Sequence, residues 1–307
     1  MPWDRIRDGA LSLAAIGTRF FKSLLGSWRS ALTWRNMLIL ICVVFGAALL
    51  VKLVFKNKPV DFSDPGLRNV RIKDHDGREL IVSRTNRFAD DFERGIERRI
   101  EGWHQHMKLA SDSNPGNPAN RVEITNERAH SGNFALKTYT PKDPRDLQKA
   151  ALLRELFFFT PGSDCWFSAW FYIPGSESIE NLFVFDLEST GYHGVGRRLM
   201  FTGKGGRHLM LEGKRSTGPQ YSQTESPVPF PRNQWVHVKL HLHLSPDQNG
   251  RVQLWQDGKL ILDKTGRNMV ENTFYDRIEV GQTANSTHRE LTVYVDDVRI
   301  SDEVIED

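Results

Sequence analysis

The sequence predicts a mainly β protein: a jelly-roll β-sandwich preceded by an N-terminal amphipathic segment and one transmembrane α-helix. Three observations predict it. Met37–Phe55 is an apolar run of nineteen residues carrying one charge, Lys52. Beyond it the chain alternates apolar and polar residues with period two in one segment after another, which is the pattern of half-buried strands. Those segments are separated by Gly, Pro, Asn and Asp turn signals, and helical periodicity is weak throughout.

The 307 residues divide by composition. Residues 1–36 form a basic leader. Ile6, Ala10, Leu13, Gly17, Phe20, Leu24 and Trp28 recur at three- and four-residue spacing there, as on one face of a helix. Trp3, Trp28 and Trp34 suit a membrane interface. A helix over 37–55 is about 28 Å long at 1.5 Å per residue, against a hydrocarbon thickness of about 30 Å. Lys52 near its end reaches the headgroups.

Charge sets the orientation. Residues 1–58 carry nine basic residues against Asp4 and Asp8. That segment is +7, and residues 59–307 are −4 of the total of +3. Basic residues stay on the cytoplasmic side. The sequence therefore predicts a single-pass inner-membrane protein with a cytoplasmic N-terminus and a periplasmic or extracellular C-terminal domain. Its partners would be the bilayer, subunits of a membrane complex and, through the domain itself, a polysaccharide. The mildly acidic C-terminal part shows no electrostatic footprint for nucleic acid. Cys42 and Cys165 cannot pair within one chain if the first lies in the bilayer; Cys165 reads as a small buried residue.

Residues 56–87 form a stalk. Val70–Ile72 and Leu80–Val82 flank Asp74-His75-Asp76-Gly77 and predict a small hairpin. The sandwich spans 88–303, with a tail at 304–307. In Trp235–Leu244 the residues Val236, Val238, Leu240, Leu242 and Leu244 share one face, with His237, Lys239, His241 and His243 on the other. Asp257-Gly258 between Arg251–Gln256 and Lys259–Leu262 predicts a type I′ hairpin. Strands are also expected at 166–173, 182–187, 209–212, 277–280 and 291–300, and short helical pieces at 91–101 and 145–152. Trp166, Ser168, Trp170 and Tyr172 share a face opposite Phe167, Ala169, Phe171 and Ile173. One of the two is core. Trp166, Trp170 and Tyr172 are candidates for glycan or partner binding if theirs is not.

Six groups of residues carry a resemblance. Phe88–Glu93 with Trp103, and Ala129–Leu136, resemble the opening of concanavalin A-like lectin/glucanase sandwiches. Arg154-Glu155-Leu156, Cys165–Pro174, Asn233–His237 and Gly250–Lys259 follow in the order of jelly-roll polysaccharide lyase-like domains. In those domains a Gln and a His on the strand after the aromatic one, and a late Tyr with a basic residue, neutralise a uronate and shuttle the proton. Here the first position reads Phe183-Val184-Phe185-Asp186-Leu187-Glu188, with neither Gln nor His. The late segment keeps Tyr275 and Arg277.

The expected function is therefore a non-catalytic accessory or scaffolding subunit at a membrane, with a glycan-binding protein and a surface lyase or glycanase as alternatives. If the chain is an enzyme, Arg154, Tyr275, Asp186 and Glu188 are the candidates. Asp186 and Glu188 lie two apart on one strand face, a pairing that suits acid and nucleophile. Asp91, Glu93 and Asp297 gather near the first and last strands as candidate ligands of a structural calcium ion.

Overall fold

The computed structural model describes residues 60–73, 78–95, 102–108, 119–144, 147–192, 194–215, 218–224 and 226–306. The chain divides into two units, Met1–Gly66 and Leu67–Asp307. Among the described residues no helix is long and apolar enough to cross a membrane. The 37–55 run and Trp3, Trp28, Trp34 and Lys52 lie outside the described residues.

The second unit is a β-sandwich. One sheet has the order β14 (Lys259–Thr265), β13 (Arg251–Gln256), β12 (Trp235–His243), β8 (Asp164–Tyr172), β16 (Leu291–Ser301), β6 (Ala135–Thr140), β5 (Arg121–Thr125). Its eighth strand, β3 (Phe88–Asp90), pairs with the far end of β16. The second sheet has six strands: β11 (His208–Lys214), β10 (Val195–Thr202), β9 (Leu182–Ser189), β15 (Arg277–Asn285), β7 (Gln148–Arg154) and β4 (His104–Lys108). A separate antiparallel hairpin joins β1 (Asn69–Lys73) to β2 (Glu79–Ser83).

Side-chain alternation explains which faces meet. Phe167, Ala169 and Phe171 of β8 and Val236, Val238, Leu240 and Leu242 of β12 are buried in one core with Val184, Phe185 and Leu187 of β9 and Leu199 and Phe201 of β10. Phe167 stacks on Phe185 across the two sheets, with centroids 3.9 Å apart. Burying one such side chain is worth about 1.5–3 kcal/mol. The phenylalanine face of β8 is thus the core, and the tryptophan face points away from it. Cys165 is fully buried, and burial pushes its thiol up.

The turn at Asp257-Gly258 has positive φ at both residues, 49° and 75°, as a type I′ turn requires. The helical piece expected at 145–152 is instead strand β7. Its Ala, Leu and Lys residues favour a helix in isolation, but pairing with β15 on one side and β4 on the other overrides that preference.

A buried ion network on the six-stranded sheet

The face of the six-stranded sheet turned away from the core carries charge. Leu187 of β9 points into the core, so Asp186 and Glu188 on either side of it point out together. Register then supplies their neighbours. Asp186 sits between Arg198 of β10 and Glu279 of β15, and Glu188 between Gly196 of β10 and Arg277 of β15. Across Gly196 lies Lys214 of β11. A Cβ on Gly196 would stand 2.0 Å from the Leu187 carbonyl oxygen, so glycine is required there. The bare position lets Lys214 cross β10 and donate to Asp186 Oδ2 and Glu188 Oε1, each at 2.7 Å.

The rest of the network closes on the same carboxylates. Arg277 Nη2 donates to Glu188 Oε2 at 2.7 Å. Thr283 Oγ1 donates to Asp186 Oδ1 at 2.7 Å. Lys149 of β7 pairs with Glu279. Arg198 pairs with Glu212 at 3.0 Å on the outer side. Burial pushes the Glu188 carboxyl above its usual range, and the Asp186 and Glu279 charges push the same way. Burial opposes the charge on Lys214, but Asp186 and Glu188 outweigh it and raise its ammonium.

Asp186, Glu188 and Glu279 are buried and hold oxygens within 4.8 Å of one another, close enough to share a cation. Lys149, Lys214 and Arg277 already balance those three charges. The backbone of β4 brings His104 and His106 into register with Leu153 and Ala151 of β7.

A family model described as polysaccharide lyase matches residues 97–299. The chain belongs to this polysaccharide lyase family. No curated protein matches it by sequence. Among solved structures it is similar to the cellulose-induced protein Cip1, with a TM-score of 0.53 and 18% identity over 72% of this chain and 99% of that one. It is similar also to the endo-β-1,4-glucuronan lyase of the fungus Trichoderma reesei, with a TM-score of 0.53 and 14% identity over 71% of this chain and 95% of that one. At such identities the likeness shows the fold.

In this lyase-family sandwich the candidates singled out in the sequence fall in five places. Asp186 and Glu188 lie together in the network. Arg154 and Tyr275 do not join them. Arg154 is buried with its guanidinium 4.1 Å from the centroid of the Phe88 ring. Tyr275 lies in the core, donates its hydroxyl to the Asn268 carbonyl at 3.1 Å and is pushed up to about 12 by burial. Trp166, Trp170 and Tyr172 are on the outer face of the other sheet.

Asp91 and Glu93 follow the end of β3, and Asp297 lies within β16 beside Val298, which pairs with Asp90. Glu93 accepts the Asn133 and Phe134 N–H groups at 2.8 Å each. Asp297 accepts from Ser131 Oγ at 2.8 Å and pairs with His130 Nδ1 at 2.7 Å. Asp91 accepts the Glu93 N–H at 3.2 Å. The calcium expectation thus meets two carboxylates, Glu93 and Asp297, converging on the 131–134 turn, with N–H and O–H donors holding both.

Lys149, Arg198, Lys214 and Glu279 escape sequence reading, and Arg277 is read there only beside Tyr275, because their partners are distant in the chain. The one local signal was Gly196, a glycine inside a strand pattern, which marks a close approach.

Proposed function

We propose that this member of the polysaccharide lyase family holds a sugar polymer at a membrane surface without cleaving it. The observation that carries the reading is the self-neutralised network. Eliminating across a uronate needs a free positive group for its carboxylate, a base for the proton and an acid for the leaving oxygen. Here Lys149, Lys214 and Arg277 are each bonded to a carboxylate, and Tyr275 is committed to the core. Membrane attachment is supported by the apolar 37–55 run and the basic leader. The accessory-subunit role expected from the sequence draws no support from the fold or the comparisons.

The test is direct. The full chain in detergent is incubated with a panel of polyuronates and neutral glucans. Retention of a polymer without new unsaturated or reducing ends is the expected outcome. Accumulation of unsaturated uronate ends overturns the reading.

One observation favours a second reading, a glycanase. Glu188, with its raised carboxyl, stands beside Asp186 and Glu279 at oxygen separations within 4.8 Å, near the roughly 5–5.5 Å of retaining pairs. Release of reducing ends that disappears in Glu188→Gln would establish it.

A further inference from the structure

The β1–β2 hairpin lies before residue 97, outside the stretch that matches the lyase family, and among the described residues its two strands pair only with each other. Its root is fixed to the sandwich. Arg84 donates its N–H to the Arg68 carbonyl, and Thr85 donates its N–H to the Leu156 carbonyl, each at 2.8 Å. The Arg84 guanidinium donates to Asp276 Oδ2 at 3.0 Å. The Asn86 amide accepts the Phe158 N–H at 2.8 Å and donates to the Phe158 carbonyl at 3.1 Å. The hairpin therefore leaves the sandwich in a set direction.

Beyond that root its surface is apolar. Register pairs Val70 with Val82 and Arg71 with Ile81. Alternation along β2 puts Leu80 and Val82 on one side of the ribbon and Ile81 on the other. Of the large apolar side chains exposed among the described residues, Ile81 is the most open at 69%, and Leu80 beside it stands at 41%. Arg71 and Glu79 form an exposed pair, 3.8 Å apart, on the Ile81 side. A two-stranded hairpin is marginal in water by itself. One protein surface covers one side of a ribbon. Apolar residues open on both sides, next to a charged pair, suit a medium that surrounds the ribbon and is polar at its boundary.

The length of the tether says which medium is at hand. The apolar run ends at Phe55, and fourteen residues later the chain enters β1 at Asn69. Fully extended, that length spans at most about 50 Å. The helical turn Pro65–Arg68 shortens it. With 37–55 in a bilayer, the hairpin is kept beside the lipid surface. Charge agrees. Residues 56–87 carry eight basic residues against five acidic ones, whereas 88–307 carry twenty-six against thirty-one. An anionic surface attracts the first segment and repels the second.

We infer that the β1–β2 hairpin is a second membrane contact, which lays Leu80 and Ile81 into the headgroup region of an anionic bilayer and holds the sandwich in one orientation above it. The inference rests on the membrane attachment proposed above and goes beyond it. Two aliphatic side chains are too little to bring a free protein to a membrane. They suffice here because the span makes the contact intramolecular.

The test uses the full chain reconstituted in vesicles of phosphatidylcholine and phosphatidylglycerol. Cys42→Ser leaves the buried Cys165 as the one native thiol, so an NBD label on Ile81→Cys reports the hairpin. The same label on Leu260→Cys, an exposed aliphatic position on β14, controls for the affinity of the dye for lipid. Lipids brominated near the headgroup should quench position 81 at least about twofold more than position 260, as for a residue held about 5–10 Å into the interface. Leu80→Asp should bring the quenching at position 81 down toward the control, and so should vesicles of phosphatidylcholine alone. The label replaces a side chain that is mostly exposed, so folding is not at stake.

Equal quenching at the two positions, in chains that float with the vesicles, would overturn the contact and leave the attachment intact. Blue-shifted emission from position 81 without quenching would mean that a protein surface, the leader or a second copy, covers the hairpin, and would overturn lipid as its occupant. Quenching that persists without phosphatidylglycerol would overturn the anionic surface. Failure of the chain to float would overturn the attachment and the contact together.

Discussion

Arg197 is fully buried between the sheets, beside Tyr275 and Tyr221 and, among the described residues, in no ion pair with a carboxylate. It donates instead to three backbone carbonyls: Nε to Asn268 at 2.7 Å, Nη1 to Pro219 at 2.8 Å and Nη2 to Arg267 at 3.0 Å. One guanidinium thus ties β10 to two connecting segments; on its removal the Tyr275 and Tyr221 hydroxyls still donate to the Asn268 and Arg267 carbonyls, and the Pro219 carbonyl loses its donor. Arg197→Met is expected to lose about 1–3 kcal/mol in chemical denaturation, the range for leaving a buried polar group without its partner. A loss under about 1 kcal/mol would mean that water replaces the guanidinium. Asp296 gives a pH signature. Burial raises its carboxyl to about 6 from 3.8, against the N–H groups of His130, Asp297 and Ser131, which favour the charged form. The folded state holds this proton more tightly than the unfolded chain, so the contribution to stability falls as pH rises from 3.8 to about 6. In Asp296→Asn the denaturation midpoint should fall less across that window than in the parent. An identical pH profile would show that Asp296 ionises as freely folded as unfolded.

At the scale of the element, strands β9, β10, β11 and β15 hold the network together, and Lys214 is its keystone because it bridges Asp186 and Glu188. Lys214→Met leaves two buried carboxylates short of a cation and should destabilise the full chain by about 3 kcal/mol. Adding Glu188→Gln should restore at least about 1 kcal/mol, since Glu188 is the carboxyl already pushed toward its neutral form. Strict additivity of the two losses would mean that they act independently. These elements also show what a sequence can reveal. Asp186 and Glu188 were legible as a pair because period two is local, and the β12 stripe and the Asp257-Gly258 hairpin were legible for the same reason. Lys214 and Arg277 were not, because only sheet order brings positions 26 and 89 residues from Glu188 against it. Strand β7 was misread because residues of helical preference sit at a place where two neighbouring strands already demand a third.

At the scale of the whole molecule the decisive question is where the sandwich works. The sequence predicts a membrane span at 37–55, where nineteen residues with one charge would make about 28 Å of helix against a hydrocarbon layer of about 30 Å. The excess of basic residues before it predicts a cytoplasmic N-terminus. The full chain should therefore stay in the membrane pellet after alkaline carbonate extraction, and deletion of residues 37–55 should move it to the supernatant. In intact spheroplasts, protease added outside should digest the sandwich and spare the leader. The proposed polymer-holding role needs that orientation, because an envelope polysaccharide lies on the outer side of the membrane. Digestion of the leader with the sandwich intact would place the sandwich in the cytoplasm and overturn that role. Release of the unmodified chain by carbonate would show that 37–55 does not span the membrane.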